Sequence, residues 1–556
     1  MSTSLRKASC FDKFNSWVII TAAALILILV FIIYPFSVLV IHSVLTNTGE
    51  ISFANYLVFF RSGYYMQTLF NSFLVSFSAS ILALLIGVPV AYFLARYRIR
   101  GKSVIDHLFI LAMLSPPFIG AYSWIVLLGR AGFITTFVQE HFAVSMPSIY
   151  GFTGILLVFT LKLFPFVYLY VSGALRSMDA SLEEAAESLG VSGWKKLRTI
   201  TFPLVLPTIL SAALMVFMTA LADFGTPALI GEGFRVLPVS IYDEYMSELG
   251  GNTGLANVLS VVMITFAMLV LLLQKKAVSD RSYAMSNLRP PVVKTLSKSR
   301  EVLVTIGLYL IAFLGILPQF TVIITSFINT SGPVFLPGFG LNSYREAFSK
   351  ASLAISNSFL FSIIAITVMV VCAMLIAYLI VRRNSRIVNL IDMLVMFPYV
   401  IPGAVLGVML VNAFNTKPLL LTGTMGILII SYVIRKMPFT LRSSIGILYQ
   451  IEQSVEEASI SLGVPPLKTF FKITGRLMLP GVISGAILSW IATMNELSST
   501  MILYTGATQT ISVAIFHEVT SKAHFGTAAA LATILTVATI ISLWLCKRLS
   551  GGKISF

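Results

Sequence analysis

The sequence predicts an all-α polytopic membrane protein in which about twelve transmembrane helices form two repeated six-helix halves. The first observation is composition: 57% of the residues are hydrophobic and only 11% are charged, whereas soluble globular chains carry about 25% charged residues. The second is the recurrence of apolar runs long enough to cross about 30 Å of hydrocarbon. The third is an internal repeat, which places the same short motifs in both parts of the chain.

Each half contains six apolar runs of transmembrane length. The predicted spans lie near residues 17–41, 66–95, 104–128, 151–175, 205–229 and 255–274, and then near 301–327, 354–381, 388–411, 424–447, 478–503 and 525–546. The first run follows Arg6, Lys7 and Lys13, so a signal peptide is an alternative for it. Its length and the lack of a small-x-small cleavage site favour a retained span.

The two halves repeat at two offsets. Asn71-Ser72-Phe73-Leu74 recurs as Asn357-Ser358-Phe359-Leu360, an offset of 286 residues. A stretch at 181–207 recurs at 454–480, an offset of 273 residues, so the second half is shorter between these motifs. We therefore assign residues 1–285 to the first half and 286–556 to the second, with a basic linker near 275–300 that connects them.

The net charge of +16 suits either nucleic-acid binding or membrane orientation. The basic residues flank the apolar runs, which is the pattern that orients membrane helices, so we expect the lipid bilayer as a partner and no nucleic acid. With the N-terminus inside, only seven of the 38 lysines and arginines fall in outer loops. This topology predicts cytoplasmic N- and C-termini, and it places both repeated stretches, 181–207 and 454–480, in the cytoplasm.

Each repeated stretch predicts a short helix with its own start and stop signals. A serine three residues before a glutamate fits a capping box, and a glycine follows where a helix ends in a left-handed residue. The capping pairs are Ser181 with Glu184 and Ser454 with Glu457, and the glycines are Gly190 and Gly463. A helix of about eight residues is too short to be stable alone in water, so we expect each one to dock on a partner.

The candidate docking residues are shared between the two copies. They are Ser181, Glu183, Glu184, Ala185, Ala186 and Gly190 in the first copy, and Ser454, Glu456, Glu457, Ala458 and Gly463 in the second. The alanines, with Leu189 in the first copy and Ile460 and Leu462 in the second, would supply an apolar face. An ordinary solvated helix face would explain one such copy, but its repetition favours two equivalent docking sites.

At these residues the sequence resembles the permease subunits of ABC importers, whose signature is Glu-Ala-Ala, three residues, Gly, nine residues, Ile, one residue and Leu-Pro. The first copy matches with Glu184-Ala185-Ala186, Gly190, Ile200 and Phe202-Pro203, and the second matches with Glu457-Ala458, Gly463 and Ile473. Ser459 replaces the second alanine, and Gly475-Arg476 replaces Leu-Pro, so we expect the second loop to end differently. The fused halves and the stretches 221–227 and 237–242 are most similar to fused ferric-iron permeases.

This resemblance implies a permease in the cytoplasmic (inner) membrane that works with two cytoplasmic ABC ATPase subunits and an external substrate-binding protein. The short helices would then be coupling helices, which sit in grooves of the ATPases. The chain itself would be no enzyme and would need no cofactor, because ATP is hydrolysed on the separate subunits. Ferric iron is the preferred substrate, and aminoethylphosphonate, thiamine and polyamines are the alternatives within the family.

Four charged residues occur at equivalent places inside the predicted spans: Lys162 with Arg435, and Asp223 with Glu496. Charges within the bilayer cost about 2.5–3.5 kcal/mol each on insertion scales, so they need a purpose. One interpretation is a buried ion pair in each half that fixes helix packing. The other is direct contact with the substrate along a translocation path.

Other function classes have less support in the sequence. Twelve spans in two parallel halves also suit an ion-gradient-driven secondary transporter, but such a carrier has no need of the repeated helix-and-glycine unit. A membrane-embedded enzyme would need a nucleophile, a base or a metal cluster, and we find none in the sequence. The stretch Gly101-Lys102-Ser103 resembles the end of a P-loop, but Arg96 stands in place of its first glycine.

Overall fold

The computed structural model describes residues 16–46, 49–191, 193–247, 251–279, 293–383 and 385–549. In these ranges the regular secondary structure is helical apart from one small hairpin, which confirms the all-α class. The predicted boundary between residues 285 and 286 lies outside the described residues, as do both termini of the chain.

The helices follow the predicted order. The main ones of the first half are Ser16–Ile28, Tyr34–Val44, Ala54–Arg61, Gly63–Arg96, Lys102–Leu114, Pro117–Leu128, Phe133–Phe142, Phe152–Arg176, Ala180–Ser188, Phe202–Ala222, Gly225–Ile230, Leu237–Met246 and Thr253–Ser279. Those of the second half are Lys298–Phe327, Asn342–Lys350, Ser352–Arg382, Arg386–Val400, Gly403–Phe414, Met425–Tyr449, Gln453–Ser461, Gly475–Met494, Thr500–Leu503, Ile511–Thr520 and Phe525–Leu549. Short turns join several of them, and Leu29–Ile33 continues the first helix as a π-helical turn.

The number of spans differs from the predicted twelve. Among the described residues, ten helical segments are long and apolar enough to cross a membrane, and the bent pair Arg386–Val400 and Gly403–Phe414 makes an eleventh. The remaining predicted span is the helix Met425–Tyr449, which is present at the expected place. It is not among the ten because every 18-residue stretch of it contains the charged residues Arg435, Lys436 and Arg442.

Several predicted spans are broken near their middle or end. The third is interrupted at Ser115-Pro116, and the ninth bends by 113° at Ile401-Pro402, since proline cannot continue the backbone hydrogen-bond ladder of a helix. The fifth and eleventh end at Ala222 and Met494, earlier than predicted. Asp223 and Glu496 therefore lie at helix ends and not within helices.

The repeated Asn-Ser motif makes the same contacts in both halves. The Oγ atom of Ser72 accepts a hydrogen bond from the backbone N–H of Leu237 at 2.8 Å, and Ser358 does the same for Ile511 at 2.7 Å. Each serine thus holds the start of a short helix that precedes the last span of its half. The internal duplication is therefore conserved in hydrogen bonds as well as in sequence.

The halves interlock because the first helix of each lies against the other half. Phe36, in the first helix, packs edge-on against Phe397 of the second half, with ring centroids 5.3 Å apart. In the opposite sense, Ser123 of the first half donates a hydrogen bond to the carbonyl of Pro318, in the first helix of the second half, at 2.8 Å. A cavity between the halves is consequently enclosed by helices of both.

An antiparallel hairpin of Ile328–Ser331 and Val334–Phe339 was not expected from the sequence. It turns at Gly332, whose φ of +61° is a left-handed value that glycine adopts without strain. The first half has a smaller counterpart at the same place in the repeat, the single antiparallel bridge between Leu45 and Ile51. Both follow the first span of their half, on the face opposite to the repeated loops.

Candidate functional sites: two signature loops and a cavity between the halves

Both predicted short helices form, as Ala180–Ser188 and Gln453–Ser461, with nine residues each. The glycine stops are confirmed: Gly190 and Gly463 have φ values of +77° and +85°. The backbone N–H of Val191 bonds to the carbonyl of Ala186 at 2.9 Å, and the equivalent bond in the second copy measures 3.2 Å. This is a Schellman motif in both copies, and we call these helices the first and second signature helix.

The predicted capping boxes are wrong in both copies. The first signature helix begins one residue before Ser181, so Asp179 is its N-cap and accepts a hydrogen bond from the Ser181 N–H at 2.9 Å. The second has Glu452 at the N-cap with no side-chain cap, and Ser454 donates its hydroxyl to Glu452 at 3.1 Å. Each serine is therefore the second residue of its helix, where its side chain cannot act as a cap.

The first glutamate of each copy points into the membrane domain. Glu183 forms an ion pair with Arg96 at 2.7 Å, and Glu456 forms one with Arg382 at 3.1 Å. Both arginines lie at the last turn of the second span of their half. Glu456, only 4% exposed, also accepts a hydrogen bond from Tyr378 at 2.9 Å. The pairs are related by the internal repeat, so both signature helices are anchored in the same way.

The outward face of each helix carries the rest of the predicted set. The exposed members are Ser181, Glu184, Ala185 and Gly190, and Ser454, Glu457, Ala458 and Gly463. Leu189 and Leu462 are 83% and 85% exposed, an unusual state for a leucine at the end of a helix. Ala186, which we expected on this apolar face, is instead buried against the membrane domain, as is its counterpart Ser459.

The two loops end alike, contrary to the expected difference at Gly475-Arg476. A π-helical turn, Leu197–Thr201, leads into the next span in the first copy, and Phe470–Thr474 does so in the second. The turns occupy equivalent positions at the offset of 273 residues. Gly475 takes ordinary helical torsion angles there, so the substitution for Leu-Pro does not change the course of the backbone.

The first signature helix is also tied to the linker between the halves, which the sequence did not predict. Lys196 and Lys294 each contact Glu187, at 2.5 and 3.1 Å. Hydrogen bonds from Lys196 and then Lys294 lower the pKa of Glu187 to about 2. The backbone N–H of Lys294 also bonds to the carbonyl of Arg96 at 2.9 Å. The basic residues of the linker were the available signal, but they indicated only a tether.

The four in-span charges line one cavity of about 410 Å³ between the halves. Lys162 lies on the helix Phe152–Arg176 and Asp223 follows Ala222; Arg435 and Glu496 hold the equivalent places in the second half. Residues beside the two proline breaks, Ser115 and Tyr399, also line it. The sequence therefore predicted most of the charged lining, but not that both halves contribute it to one space.

In the second half the charges are paired. Glu496, only 4% exposed, forms ion pairs with Arg435 and with Lys436, the latter at 2.5 Å. It also accepts a hydrogen bond from the backbone N–H of Ser499 at 3.2 Å. Lys436 was missed in the sequence, although a second basic residue next to Arg435 inside a span was a sufficient signal.

In the first half the corresponding acid and base do not form an ion pair. Asp223 is buried and accepts a hydrogen bond from the backbone N–H of Thr226 at 2.8 Å, at the start of the helix Gly225–Ile230. Within the described ranges, no carboxylate oxygen lies within 4.0 Å of the Lys162 amine. The structural ion pair that we considered for each half is thus formed in the second half, while the first leaves its lysine without a close counter-ion.

The chain matches the sequence profile of the family described as binding-protein-dependent transport system inner membrane component, over residues 83–281 and 369–551. It is 28% identical to the ferric transport system permease protein FbpB of Actinobacillus pleuropneumoniae, over 92% of this chain and 75% of that protein. It is 29% identical to the Fe(3+)-transport system permease protein FbpB 2 of Haemophilus influenzae, over 87% of this chain and 90% of that one. The molybdenum transport system permease protein ModB of Escherichia coli is 30% identical over 38% of this chain and 91% of its own length.

Proposed function

The chain belongs to the family of binding-protein-dependent transport system inner membrane components, the permeases of ABC importers, and from that membership we propose that it carries ferric iron. The observation that supports this substrate is the similarity to ferric permeases across both halves and most of the chain. The similarity to the molybdenum permease covers 38% of this chain, which is less than one of its halves. Aminoethylphosphonate, thiamine and polyamines are the substrates to test against iron.

The two signature helices are, in this proposal, coupling helices that dock on two cytoplasmic ATPase subunits. Their exposed leucines, Leu189 and Leu462, offer the apolar contact, and the outward Glu184 and Glu457 flank it. An exposed leucine at the same place in both copies is costly in water and is useful when a groove covers it. In this proposal, the face that carries both helices is the cytoplasmic one, as the distribution of basic residues predicts.

Movement of an ATPase reaches the membrane through the inward glutamates. Glu183 and Glu456 attach each coupling helix to an arginine at the end of the second span of the same half. A displaced coupling helix therefore pulls on Gly63–Arg96 or Ser352–Arg382, both of which pack beside the helices that line the central cavity. We place that cavity on the translocation path, and a substrate-binding protein on the opposite face.

Charge reversal tests the docking. The double variant Glu184→Arg/Glu457→Arg should abolish ATP-dependent uptake, because both helices then present a cation where the partner receives an acid. The membrane fold should survive, since both side chains are exposed; the melting temperature of the purified chain measures this. The matched control, Glu184→Gln/Glu457→Gln, removes the charge without reversing it and should lose less uptake. Normal uptake by the reversed variant would refute the docking.

Uptake by the reconstituted transporter tests the substrate. The chain is placed in liposomes with the ABC ATPase and the binding protein that co-purify with it, and ⁵⁵Fe(III) accumulation is followed with and without ATP. We expect ATP-dependent accumulation that an excess of aminoethylphosphonate, thiamine or spermidine leaves unchanged. Competition by one of these, together with its own accumulation, would replace iron by that solute.

A further inference from the structure

The charge lining of the central cavity points to the kind of species that crosses it. Three cationic side chains, Lys162, Arg435 and Lys436, face two carboxylates, Asp223 and Glu496. Among the described residues no other Asp, Glu, Lys or Arg lines the cavity, so this lining carries one net positive charge. Between packed helices an unbalanced charge acts more strongly than in bulk water on whatever enters, since Coulomb energies grow as the local dielectric constant falls.

Neither carboxylate is available to a cation. Glu496 is already held by two basic side chains and by the Ser499 N–H. Asp223 accepts the Thr226 N–H at the start of a helix, where the positive end of the helix dipole already compensates a carboxylate. Moving Glu496 away from these donors to bind a metal would leave two largely buried cations without partners, at a cost of several kcal/mol.

Among the described residues, the cavity also has no cluster of His, Cys, Asp or Glu side chains for a bare metal ion. In the part of the chain that the structure describes, no group of three or more His, Cys, Asp or Glu side chains is placed to hold a metal ion. A trivalent cation that gave up its own ligands here would meet three positive side chains and two acids, one of which, Glu496, is already paired. The Lys162 amine, in contrast, has no carboxylate within 4.0 Å and is free to bind an anion.

We propose that the species crossing this cavity presents anionic oxygens to Lys162, so that ferric iron passes together with the oxyanions that ligate it. This inference rests on the proposed iron transport and on the placement of the cavity on its path. The ligands are phosphate or carboxylate groups, which bind both Fe(III) and an ammonium group. No bond is broken or formed in the cavity, because the complex enters and leaves with its ligands.

Dual-label uptake tests the proposal in the complete transporter, reconstituted with its ATPase and binding protein. The liposomes receive ⁵⁵Fe(III) with either [³³P]phosphate or [¹⁴C]citrate, and both labels are counted inside after ATP is supplied. We expect one of the anions to enter in a fixed ratio to iron and to stay outside when iron is omitted. Phosphate and citrate distinguish the two possible sources of the oxygens.

The outcomes separate this inference from the iron proposal. Iron entry without either anion overturns the inference and leaves the iron proposal standing. Entry of an oxyanion such as molybdate or aminoethylphosphonate, with no entry of iron, overturns the iron proposal and supports an anionic substrate. Entry of spermidine or thiamine in place of iron overturns both.

Substitution of Lys162 gives an independent measurement. Lys162→Met should lower the rate of iron uptake roughly 10- to 100-fold, the effect of losing one hydrogen bond to a charged group, while Lys162→Arg should retain most of it. Both variants leave the Glu496 ion pairs in place. Faster iron uptake in Lys162→Met, as expected if the lysine only repels a cation, would overturn the inference.

Discussion

The ion pair between Glu456 and Arg382 should control how firmly the second signature helix is held. Replacing Arg382 by Met removes the 3.1 Å contact and leaves the carboxylate of Glu456 with a hydrogen bond from Tyr378 as its remaining side-chain contact. Glu456 is 4% exposed, so water cannot replace the lost partner without movement of the helix. The helix Gln453–Ser461 is too short to persist unless it is docked.

Breaking a buried ion pair by removing one partner costs about 3–5 kcal/mol. The second signature helix avoids this unpaired buried charge when it undocks, because undocking brings Glu456 into water. We therefore expect the free energy of undocking this helix to fall by about 3 kcal/mol, which raises its undocked population roughly 100-fold. The spans should stay folded. The variant Arg382→Met/Glu456→Gln should recover much of the loss, because it buries no unpaired charge.

Amide hydrogen exchange in lipid nanodiscs measures this opening segment by segment. The amides of residues 456–464 should exchange about 100-fold faster in Arg382→Met, and those of the spans should not change. The control is Arg442→Met, which removes a half-exposed ion pair with Asp392 and should cost less than about 1 kcal/mol. Unchanged exchange in residues 456–464 would show that Glu456 is not the anchor, and equal acceleration throughout the chain would show a general loss of fold.

Three further outcomes follow from single contacts. Gly463→Ala should lower the melting temperature, because its left-handed backbone costs a non-glycine residue about 1–2 kcal/mol; Gly446→Ala, in an open position of a regular helix, should raise it slightly. Trp17→Ala should cost about 3–5 kcal/mol through loss of a buried ring, whereas Trp194→Ala, at a ring 75% exposed, should cost under about 0.5 kcal/mol; chemical denaturation in detergent compares them. The pKa of Glu187 is lowered to about 2, so its contribution to stability is present above the ordinary value of 4.5 and is lost only as the pH falls through about 2. Exchange protection of residues 293–297, corrected for intrinsic rates, should therefore stay constant from pH 7 to about pH 5 and fall progressively as the pH is lowered from 4.5 towards 2.

Local signals in the sequence predicted the glycine ends of the signature helices but not their starts. A left-handed residue at a helix end is a strong requirement that glycine meets better than any other residue, so Gly190 and Gly463 were reliable. An N-cap can be any of several polar residues, and here Asp179 precedes the serine that fitted the motif. The predicted start was therefore late by two residues in both copies, and the inward glutamates could not be told from the outward ones.

The cavity charges show a different limit. Each in-span charge was visible in the sequence because an ionisable residue in an apolar run is rare. Which charges pair is decided by side-chain positions on helices that are distant in the chain, as for Glu496 and Arg435. The equivalent acid and base in the first half, Asp223 and Lys162, occupy matching places in the repeat and yet do not form the same contact. The repeat predicted equivalent positions, and the packing decided unequal interactions.

The contacts beside the two signature helices also differ between the halves. In the second half, Trp17 from the first helix of the chain stacks on Tyr378 with centroids 4.2 Å apart and meets Phe470 edge-on. In the first half the equivalent space, beside Tyr92, is a cavity of about 780 Å³ that Lys294 lines. The anchoring ion pairs are alike. The second signature helix, however, lies beside packed aromatic rings, and the first lies beside a cavity lined in part by charged side chains. Since both signature helices belong to one chain, the two halves are free to differ in this way, and the two helices rest on unequal supports.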